Sequence, residues 1–213
     1  MSKNNFLSGI YPISPITYDS DFTYLDLVEK ALKTNIKIFQ FRGKHLSLRR
    51  KRSLIPKINE RCIKYGIKLI INDDIELLKY ADGCGLHIGH DKDLIGIRKY
   101  YGKKFTIGMS CYNSLDKAKW AENNGANYVS FGALFPTQTK KNIYYCDHSL
   151  IHLAKKTLHI PICVIGGINK KNIIDVLKYR PDMIGIITGI FNESDVESTT
   201  NHLIDMMKNY EKI

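Results

Sequence analysis

Polar side chains gather in short segments, each of which follows a run of apolar residues. The first segment, Gln40-Phe41-Arg42-Gly43-Lys44, places an amide and two cations at alternate positions. In an extended chain alternate side chains share a face, so Gln40, Arg42 and Lys44 point the same way. The planar fork of arginine can grip a phosphate, and lysine adds a point charge. The segment suits a diphosphate with an adjoining heterocycle, and it equally fits a strand end with solvated cations.

Carboxylates follow in the next two segments, Asn72-Asp73-Asp74 and 87–93. Mg2+ prefers oxygen ligands and keeps waters and substrate phosphates in its shell, which one or two protein carboxylates can complete. Carboxylates at neighbouring strand ends can share such a cation, so these segments fit a magnesium and diphosphate site. As an alternative role, we expect at least one of Asp73 and Asp74 to cap the following helix.

Histidines also occur in the second carboxylate segment, at His87 and His90. We interpret both as hydrogen-bonding or packing residues, because an imidazole beside hard-cation carboxylates more often serves that purpose. No serine or cysteine stands at a convincing nucleophile spacing, so no Ser-His or Cys-His arrangement is expected.

Hydroxyls and glycines dominate the later segments. These are Gly108-Met109-Ser110, the stretch 135–140 with Thr137, Gln138, Thr139 and Lys140, Gly166-Gly167-Ile168, and Ile187-Thr188-Gly189. Glycine lets a ligand approach the backbone closely, and the N-terminus of a following helix favours an anion. The last two segments therefore predict a phosphate site made by backbone N–H groups.

Short apolar runs and amphipathic stretches alternate along the chain, which is typical of repeated strand and helix units. The predicted strands are 9–14, 36–41, 67–71, 85–88, 105–109, 128–132, 161–165 and 183–187. The predicted helices are 23–34, 48–65, 75–80, 94–101, 114–124, 147–157, 170–179 and 198–210.

Eight such units predict a single-domain (β/α)8 TIM barrel over residues 1–213, although an open doubly wound sheet would show the same alternation. In a barrel the loops after the strands meet at one face, which brings the polar segments together. Ser114 and Asn169 are candidate N-caps, and Gly66 and Gly125 are candidate left-handed residues at helix ends.

Composition limits the classes of partner. The net charge is +11, but the basic residues are scattered, and the one dense group, 49–52, falls on a predicted solvated helix face. We therefore expect small-molecule substrates and no nucleic acid. No apolar run approaches the roughly 20 residues that span a bilayer, and no signal peptide precedes the first strand, so we expect a cytoplasmic protein without membrane contact. The five scattered cysteines indicate reduced packing thiols. The sequence is also compatible with a homo-oligomer.

Taken in chain order, the motifs resemble those of the thiamine-phosphate synthase family. They are Q-x-R-x-K at 40–44, N-D at 72–73, H-x-G at 87–89 followed by Asp91, G-x-S at 108–110, F-P-T-x-T-K at 135–140 and I-G-G-I at 165–168. The resemblance implies a (β/α)8 barrel that joins a pyrimidine diphosphate to a thiazole phosphate and releases diphosphate with the help of Mg2+.

The resemblance also implies roles for individual residues. The pyrimidine diphosphate would contact Gln40, Arg42, Lys44, Asn72, Ser110 and Lys140, of which Arg42, Ser110 and Lys140 are the catalytic candidates. Further substrate-binding candidates, not assigned to either substrate, are Phe41, Gly43 and Gln138. Asp73 and Asp91 would hold magnesium. The thiazole phosphate would contact Thr137, Thr139, Gly167, Ile187 and Thr188.

One loop departs from the family pattern H-x-G-Q-x-D, because Lys92 stands at the position of the final aspartate. A one-residue deletion would restore the ligand as Asp91, and Asp93 is the alternative ligand.

Two other functions compete with this interpretation. A thiazole tautomerase would share the barrel but would need no diphosphate grip, so Gln40, Arg42, Lys44 and Lys140 argue against it. A non-catalytic binder of phosphorylated ligands or RNA would fit the positive charge.

Overall fold

Strands and helices alternate throughout the part of the chain that the computed structural model describes, residues 6–16, 18–89, 93–137 and 145–211. The strands are β1 (Gly9–Pro12), β2 (Ile38–Phe41), β3 (Lys68–Asn72), β4 (Gly85–Ile88), β5 (Ile107–Tyr112), β6 (Tyr128–Phe131), β7 (Ile162–Ile165) and β8 (Met183–Ile186). The helices are α1 (Asp21–Leu32), α2 (Leu48–Lys64), α3 (Leu94–Tyr101), α4 (Leu115–Asn123), α5 (His148–Thr157), α6 (Ile173–Leu177), α7 (Thr188–Phe191) and α8 (Val196–Glu211), with a 3-10 helix at Ile75–Tyr80.

All eight strands are parallel, and from β2 to β8 each strand pairs with the next strand in the chain. β1 pairs with β8, and a parallel bridge between Ile13 and Gln40 joins the β1 and β2 sides into a nearly closed barrel. The backbone N–H of Ser14 donates to the carbonyl of Gln40 at 2.8 Å across the same seam. An open doubly wound sheet would leave two unpaired edges and a reversal of strand order. The predicted (β/α)8 barrel is confirmed.

Capping side chains mark several helix boundaries as the sequence predicts. Ser114 Oγ accepts from the Lys117 N–H at the start of α4, and Gly66 and Gly125 have φ values of +68° and +91°. Asn169 caps a turn, because its Oδ1 accepts from the Lys171 N–H at 2.8 Å, but α6 itself begins later than predicted, at Ile173. The short helix α7 was not predicted. No helix in the described ranges combines the length and apolar character needed to cross a membrane.

Two apolar layers flank the strands. The outer layer lies between the barrel and the helices and contains side chains such as Phe39, Ile71 and Val129. The inner layer fills the barrel with Leu7, Tyr11, Ile38, Ile70, Tyr128, Cys163 and Met183. All five cysteines are buried and free, which confirms the prediction of packing thiols.

Candidate active site

Inward-facing side chains change from apolar to polar along the barrel strands. On β2, Ile38 belongs to the inner layer, whereas Gln40 and then Arg42 line a cavity at the C-terminal ends of the strands. On β3, Ile70 and Asn72 follow the same order. Because strand side chains alternate with a period of two, the register of each strand selects which residues reach the cavity. Every one of the eight strands contributes to its lining.

Arg42 is the main cation of the cavity wall. Its backbone N–H donates to Ser14 Oγ at 2.9 Å, which ties the end of β2 to the end of β1. Partial burial lowers the pKa of Arg42, and the nearby Asp73 carboxylate partly offsets this effect. Among the described residues, none accepts a hydrogen bond from its guanidinium. A charged, partly desolvated guanidinium with free donors is suited to binding an anion.

Asp73 follows the cavity-lining Asn72 at the end of β3 and has a left-handed conformation, φ +61°. Its carboxylate accepts from Gly89 N at 2.9 Å, from Asn72 Nδ2 at 2.8 Å and from Lys44 Nζ at 3.0 Å. Burial alone would raise the pKa of Asp73, but the Gly89 hydrogen bond and the Lys44 charge outweigh it, so the pKa lies below its usual range. The group is therefore an ionised oxygen donor at neutral pH.

The expected helix cap at Asp73 or Asp74 is wrong. The 3-10 helix Ile75–Tyr80 has no side-chain cap, although Asp74 occupies the N-cap position. The Asp74 carboxylate instead accepts from Lys51 Nζ on α2 at 2.7 Å. Both carboxylates are thus engaged by side chains or loops distant in sequence.

A chain of hydrogen bonds crosses the barrel interior beneath the cavity. Gln40 Nε2 donates to Tyr11 Oη at 2.8 Å, and Tyr11 Oη lies 3.0 Å from Tyr128 Oη. His87 joins the chain at both ring nitrogens, with Nδ1 2.9 Å from Tyr128 Oη and Nε2 2.9 Å from Ser110 Oγ. The interpretation of His87 as a hydrogen-bonding residue is confirmed. The expectation that no Ser-His arrangement exists is wrong.

Phe41 and Gly43 lie on the other side of β2. The Phe41 side chain is buried in the outer layer against Tyr24, with ring centroids 6.5 Å apart. A side chain at Gly43 would meet Phe41 at 2.9 Å and Leu46 at 3.2 Å, so this position also faces the outer layer. Neither residue lines the cavity.

The loops after β6, β7 and β8 form the opposite wall, with Thr137, Gly167, Ile187 and Thr188 in its lining. Gly167 has φ +67°, and a Cβ there would lie 2.5 Å from the carbonyl oxygen of Pro136. Glycine is required for both reasons. Its N–H has no acceptor within the described residues, and the first N–H groups of a helix such as α7 have none inside the helix. This wall therefore offers backbone donors.

Several predicted residues lie outside the described residues, namely Asp91 with its neighbours His90 and Lys92, and Gln138, Thr139 and Lys140. The alternative metal ligand, Asp93, is described. It is the N-cap of α3, where its Oδ1 accepts from the Gly96 N–H at 2.8 Å. This bond holds Asp93 in a capping role.

The cavity-lining residues that were not singled out from the sequence include Tyr11, Ile13, Tyr112, Ser130 and Cys163. All occur at inward positions two residues from another lining or inner-layer residue. Counting back by two along each predicted strand from its polar end would have found most of them.

The fold and cavity define a class: a (β/α)8-barrel enzyme with its active site at the C-terminal ends of the strands. A model of the family described as "Thiamine monophosphate synthase" matches residues 10–190. The chain belongs to the thiamine monophosphate synthase family. It is therefore a transferase, and the resemblance drawn from the motifs is confirmed.

Individual relatives agree along nearly the whole chain. The thiamine-phosphate synthase of Nitrosomonas eutropha is 35% identical over 92% of this chain and 92% of its own. That of Dictyoglomus thermophilum is 33% identical over 99% and 97%. Among solved structures, the thiamine phosphate pyrophosphorylase of Pyrococcus furiosus superposes with a TM-score of 0.85 at 25% identity, covering 97% of this chain and 98% of that chain.

Proposed function

We propose that the chain condenses 4-amino-2-methyl-5-(diphosphooxymethyl)pyrimidine with 4-methyl-5-(2-phosphoethyl)thiazole, or its carboxylated form, to give thiamine phosphate and diphosphate. The observation that carries this proposal is the guanidinium of Arg42, which has no hydrogen-bond acceptor among the described residues and lines a cavity within the segment that matches the family, residues 10–190. The partly buried Arg42 on one wall and, on the other, backbone N–H groups that have no acceptor among the described residues suit two phosphorylated substrates.

The first wall is assigned to the pyrimidine diphosphate. Gln40, Arg42, Asn72 and Ser110 all line the cavity there. Lys44 follows β2 and is paired with Asp73, with Nζ 3.0 Å from the carboxylate. Amide and hydroxyl groups suit the edge of an aminopyrimidine, and the cations suit the diphosphate. Lys140 is proposed as an additional cation for the leaving group.

Magnesium is proposed as the metal, with Asp73 and Asp91 as protein ligands. The lowered pKa of Asp73 keeps it ionised, and a carboxylate oxygen is the donor that Mg2+ prefers. The described residues contain no group of three His, Cys, Asp or Glu side chains arranged to hold a metal, so substrate oxygens and water would complete the shell. When bound, the ion would neutralise charge on the diphosphate and improve it as a leaving group.

The reaction needs no protein nucleophile. The carbon–oxygen bond between the pyrimidine methylene and the diphosphate breaks, and its electron pair leaves with the diphosphate. The electron-rich aminopyrimidine ring stabilises the resulting cation, and the thiazole nitrogen then donates its lone pair to form the new carbon–nitrogen bond. Arg42, Lys44 and Lys140 stabilise the departing charge, and the cavity walls hold the two rings in line.

The second wall is assigned to the thiazole phosphate. Thr137, Gly167, Ile187 and Thr188 line it, and Thr139 is proposed as a further contact. The N–H of Gly167, which has no acceptor within the described residues, and the start of α7 supply donors without charge, which suits a monophosphate.

Broader properties of the chain follow from the same proposal. We infer one domain over residues 1–213, because the described residues form one eight-stranded sheet. The partners are two small phosphorylated molecules rather than nucleic acid or membrane, and a cytoplasmic location suits such metabolites.

The proposal is tested with Lys140→Ala and Asp73→Ala, assayed for thiamine phosphate with both precursors and Mg2+. Each variant should lose about 100-fold or more in turnover while its unfolding midpoint in urea stays near that of the wild type. Lys103→Ala and Asp116→Ala are matched controls, because both side chains are exposed on the outer helices or their loops. Near-normal turnover in both site variants would overturn the assignment.

A further inference from the structure

The hydrogen-bond chain beneath the cavity has a direction that its first member sets. Gln40 donates from its amide nitrogen, so Tyr11 Oη accepts this bond. The hydroxyl of Tyr11 has one hydrogen, and its second partner among the described residues is Tyr128 Oη. Tyr11 and Tyr128 are 1% and 0% exposed, so water does not compete for these groups. Tyr11 therefore donates to Tyr128.

The same reasoning carries the direction to the cavity. Tyr128 accepts from Tyr11, and its own hydrogen then points to His87 Nδ1, 2.9 Å away. A neutral imidazole that accepts at Nδ1 carries its hydrogen on Nε2. His87 Nε2 therefore donates to Ser110 Oγ at 2.9 Å. Ser110 lines the cavity, and its hydroxyl hydrogen has no other acceptor within the described residues, so it can point at a ligand.

We propose that Tyr11, Tyr128 and His87 are positioning residues that hold His87 as the Nε2–H tautomer and make Ser110 a hydrogen-bond donor toward the substrate. The identity of that substrate rests on the proposed function. The atom facing Ser110 is then an acceptor, such as a diphosphate oxygen or a ring nitrogen, and not an amine hydrogen.

This direction also decides what the Ser-His pair can do. A nucleophilic serine needs an imidazole nitrogen that accepts its proton. Here the nitrogen facing Ser110 already bears a hydrogen, and Tyr128 rather than a carboxylate faces the other nitrogen. The pair therefore orients a hydroxyl and does not activate it.

The local packing is built around this chain. A Cβ at Gly108 would overlap the ring of Tyr128, so the absence of a side chain on β5 makes room for the tyrosine to reach His87. The His87 and Tyr128 rings are stacked, with centroids 5.4 Å apart and planes at 29°. Both features hold the imidazole in the plane that its two hydrogen bonds require.

The first test reads the tautomer directly and needs no activity. Long-range 1H–15N spectra of protein labelled at histidine nitrogen distinguish Nε2–H from Nδ1–H, and His87→Gln identifies the His87 signals by their loss. We expect Nε2–H for His87 in the free protein at neutral pH, and a mixture of tautomers in Tyr128→Phe. An Nδ1–H tautomer in the wild type overturns the proposal, as does an unchanged spectrum in Tyr128→Phe.

The second test measures whether Tyr128 acts through Ser110. Turnover is compared for the wild type, Tyr128→Phe, Ser110→Ala and the double variant. We expect Tyr128→Phe to lower kcat by about tenfold with a smaller effect on KM, and to lower it by less than about twofold when Ser110 is already alanine. Equal effects in both backgrounds would mean that Tyr128 acts elsewhere and would overturn the proposal.

Tyr24→Phe is the matched control, because Tyr24 is equally buried at 0% exposure but lies in the outer layer against Phe41. Its turnover should match that of the wild type. If Tyr128→Phe does not fold, Tyr11→Phe breaks the chain one link earlier and should act in the same direction. A wild type that makes no thiamine phosphate would refute the proposed function, and the nitrogen spectra would still decide this inference.

Discussion

Replacing Asp73 with asparagine should damage activity far more than stability. The Lys44 ammonium, 3.0 Å from the carboxylate, is 58% exposed, so the ion pair contributes about 0–1 kcal/mol. The bonds from Gly89 and Asn72 lose their charged acceptor, which costs about 1 kcal/mol more. The free energy of unfolding should therefore fall by about 1–2 kcal/mol, or roughly 2–8 °C in Tm for a chain of this size.

Turnover of Asp73→Asn should fall by about 100-fold or more, because the variant loses the charged oxygen proposed to hold the metal. Steady-state rates with both precursors and Mg2+ are measured beside urea unfolding at neutral pH. Asp116→Asn is the control, since the Asp116 side chain is 98% exposed and lies 3.9 Å from Lys119. A rate within a few fold of the wild type would refute the proposed role of Asp73 in catalysis. A loss in the free energy of unfolding well above about 2 kcal/mol would mean that Asp73 is needed mainly for the fold.

The difference in free energy of unfolding between the wild type and Asp73→Asn should depend on pH in a defined direction. The pKa of Asp73 lies below its usual range: burial opposes ionisation, but Gly89 and Lys44 outweigh it. A carboxyl with a lowered pKa in the folded state stabilises the fold above its unfolded pKa of about 3.9, and this contribution is lost as the pH falls through the folded value. The stability gap between wild type and Asp73→Asn should thus shrink below about pH 4. A gap that stays constant would contradict the sign.

Three further predictions test other parts of the site. Gly167→Ala should raise KM for the thiazole phosphate about tenfold, because the new Cβ would lie 2.5 Å from the carbonyl oxygen of Pro136. Gly83→Ala is the control, because Gly83 has φ +70° but nothing within 4 Å of an added Cβ. It should lower the free energy of unfolding by about 1–2 kcal/mol and leave KM unchanged. Arg42→Lys should raise KM for the pyrimidine diphosphate about tenfold, because lysine lacks the planar guanidinium fork. Arg52→Lys, at an exposed position, should leave KM unchanged. Equal KM values in the two variants would refute the binding of the diphosphate by Arg42. Ellman's reagent at pH 8, about half a unit below the usual thiol pKa, should label none of the five cysteines in the native protein within minutes and all of them in urea. Burial raises their pKa to about 12 in Cys62, Cys111 and Cys163 and to about 11 in Cys84 and Cys146, so fast native labelling would contradict the packing.

Most element boundaries could be predicted where apolar periodicity and a breaker coincide. β4 and α3 span the predicted residues, and Gly102 ends α3 at φ +74°. β5 was predicted to end at Met109 but continues to Tyr112, because a bulge after Ser110 lets the polar end keep pairing with β6. Polar residues in a strand that lines a cavity look like a loop in the sequence, which is why this extension was missed.

The late boundary of α6 has a different physical cause. Helical periodicity predicted a start at Lys170, but the Asn169 side chain accepts from the Lys171 N–H at 2.8 Å and the Asn172 side chain accepts from the Asn169 N–H at 2.9 Å. These local bonds stabilise a turn in place of the first helical turn. Asparagine competes for backbone donors, and periodicity alone does not register this.

The residues of the cavity were predictable in part. Strand ends and alternation bring Gln40, Arg42 and Asn72 to the cavity, as expected for polar residues at inward positions. The His87 contacts could not be predicted, because they depend on strand register, with His87 opposite Gly108, and on the space that this glycine leaves. The pairing of Asp74 with Lys51 likewise depends on how α2 packs against the 3-10 helix.

The most direct test is the reaction itself. Purified protein is incubated with the pyrimidine diphosphate, the thiazole phosphate and Mg2+, and thiamine phosphate and diphosphate are both quantified against reactions that omit one precursor. We predict that the two products form in equal amounts and only when both precursors are present. Diphosphate release that does not depend on the thiazole, or no thiamine phosphate from protein shown to be folded, would contradict the proposed function.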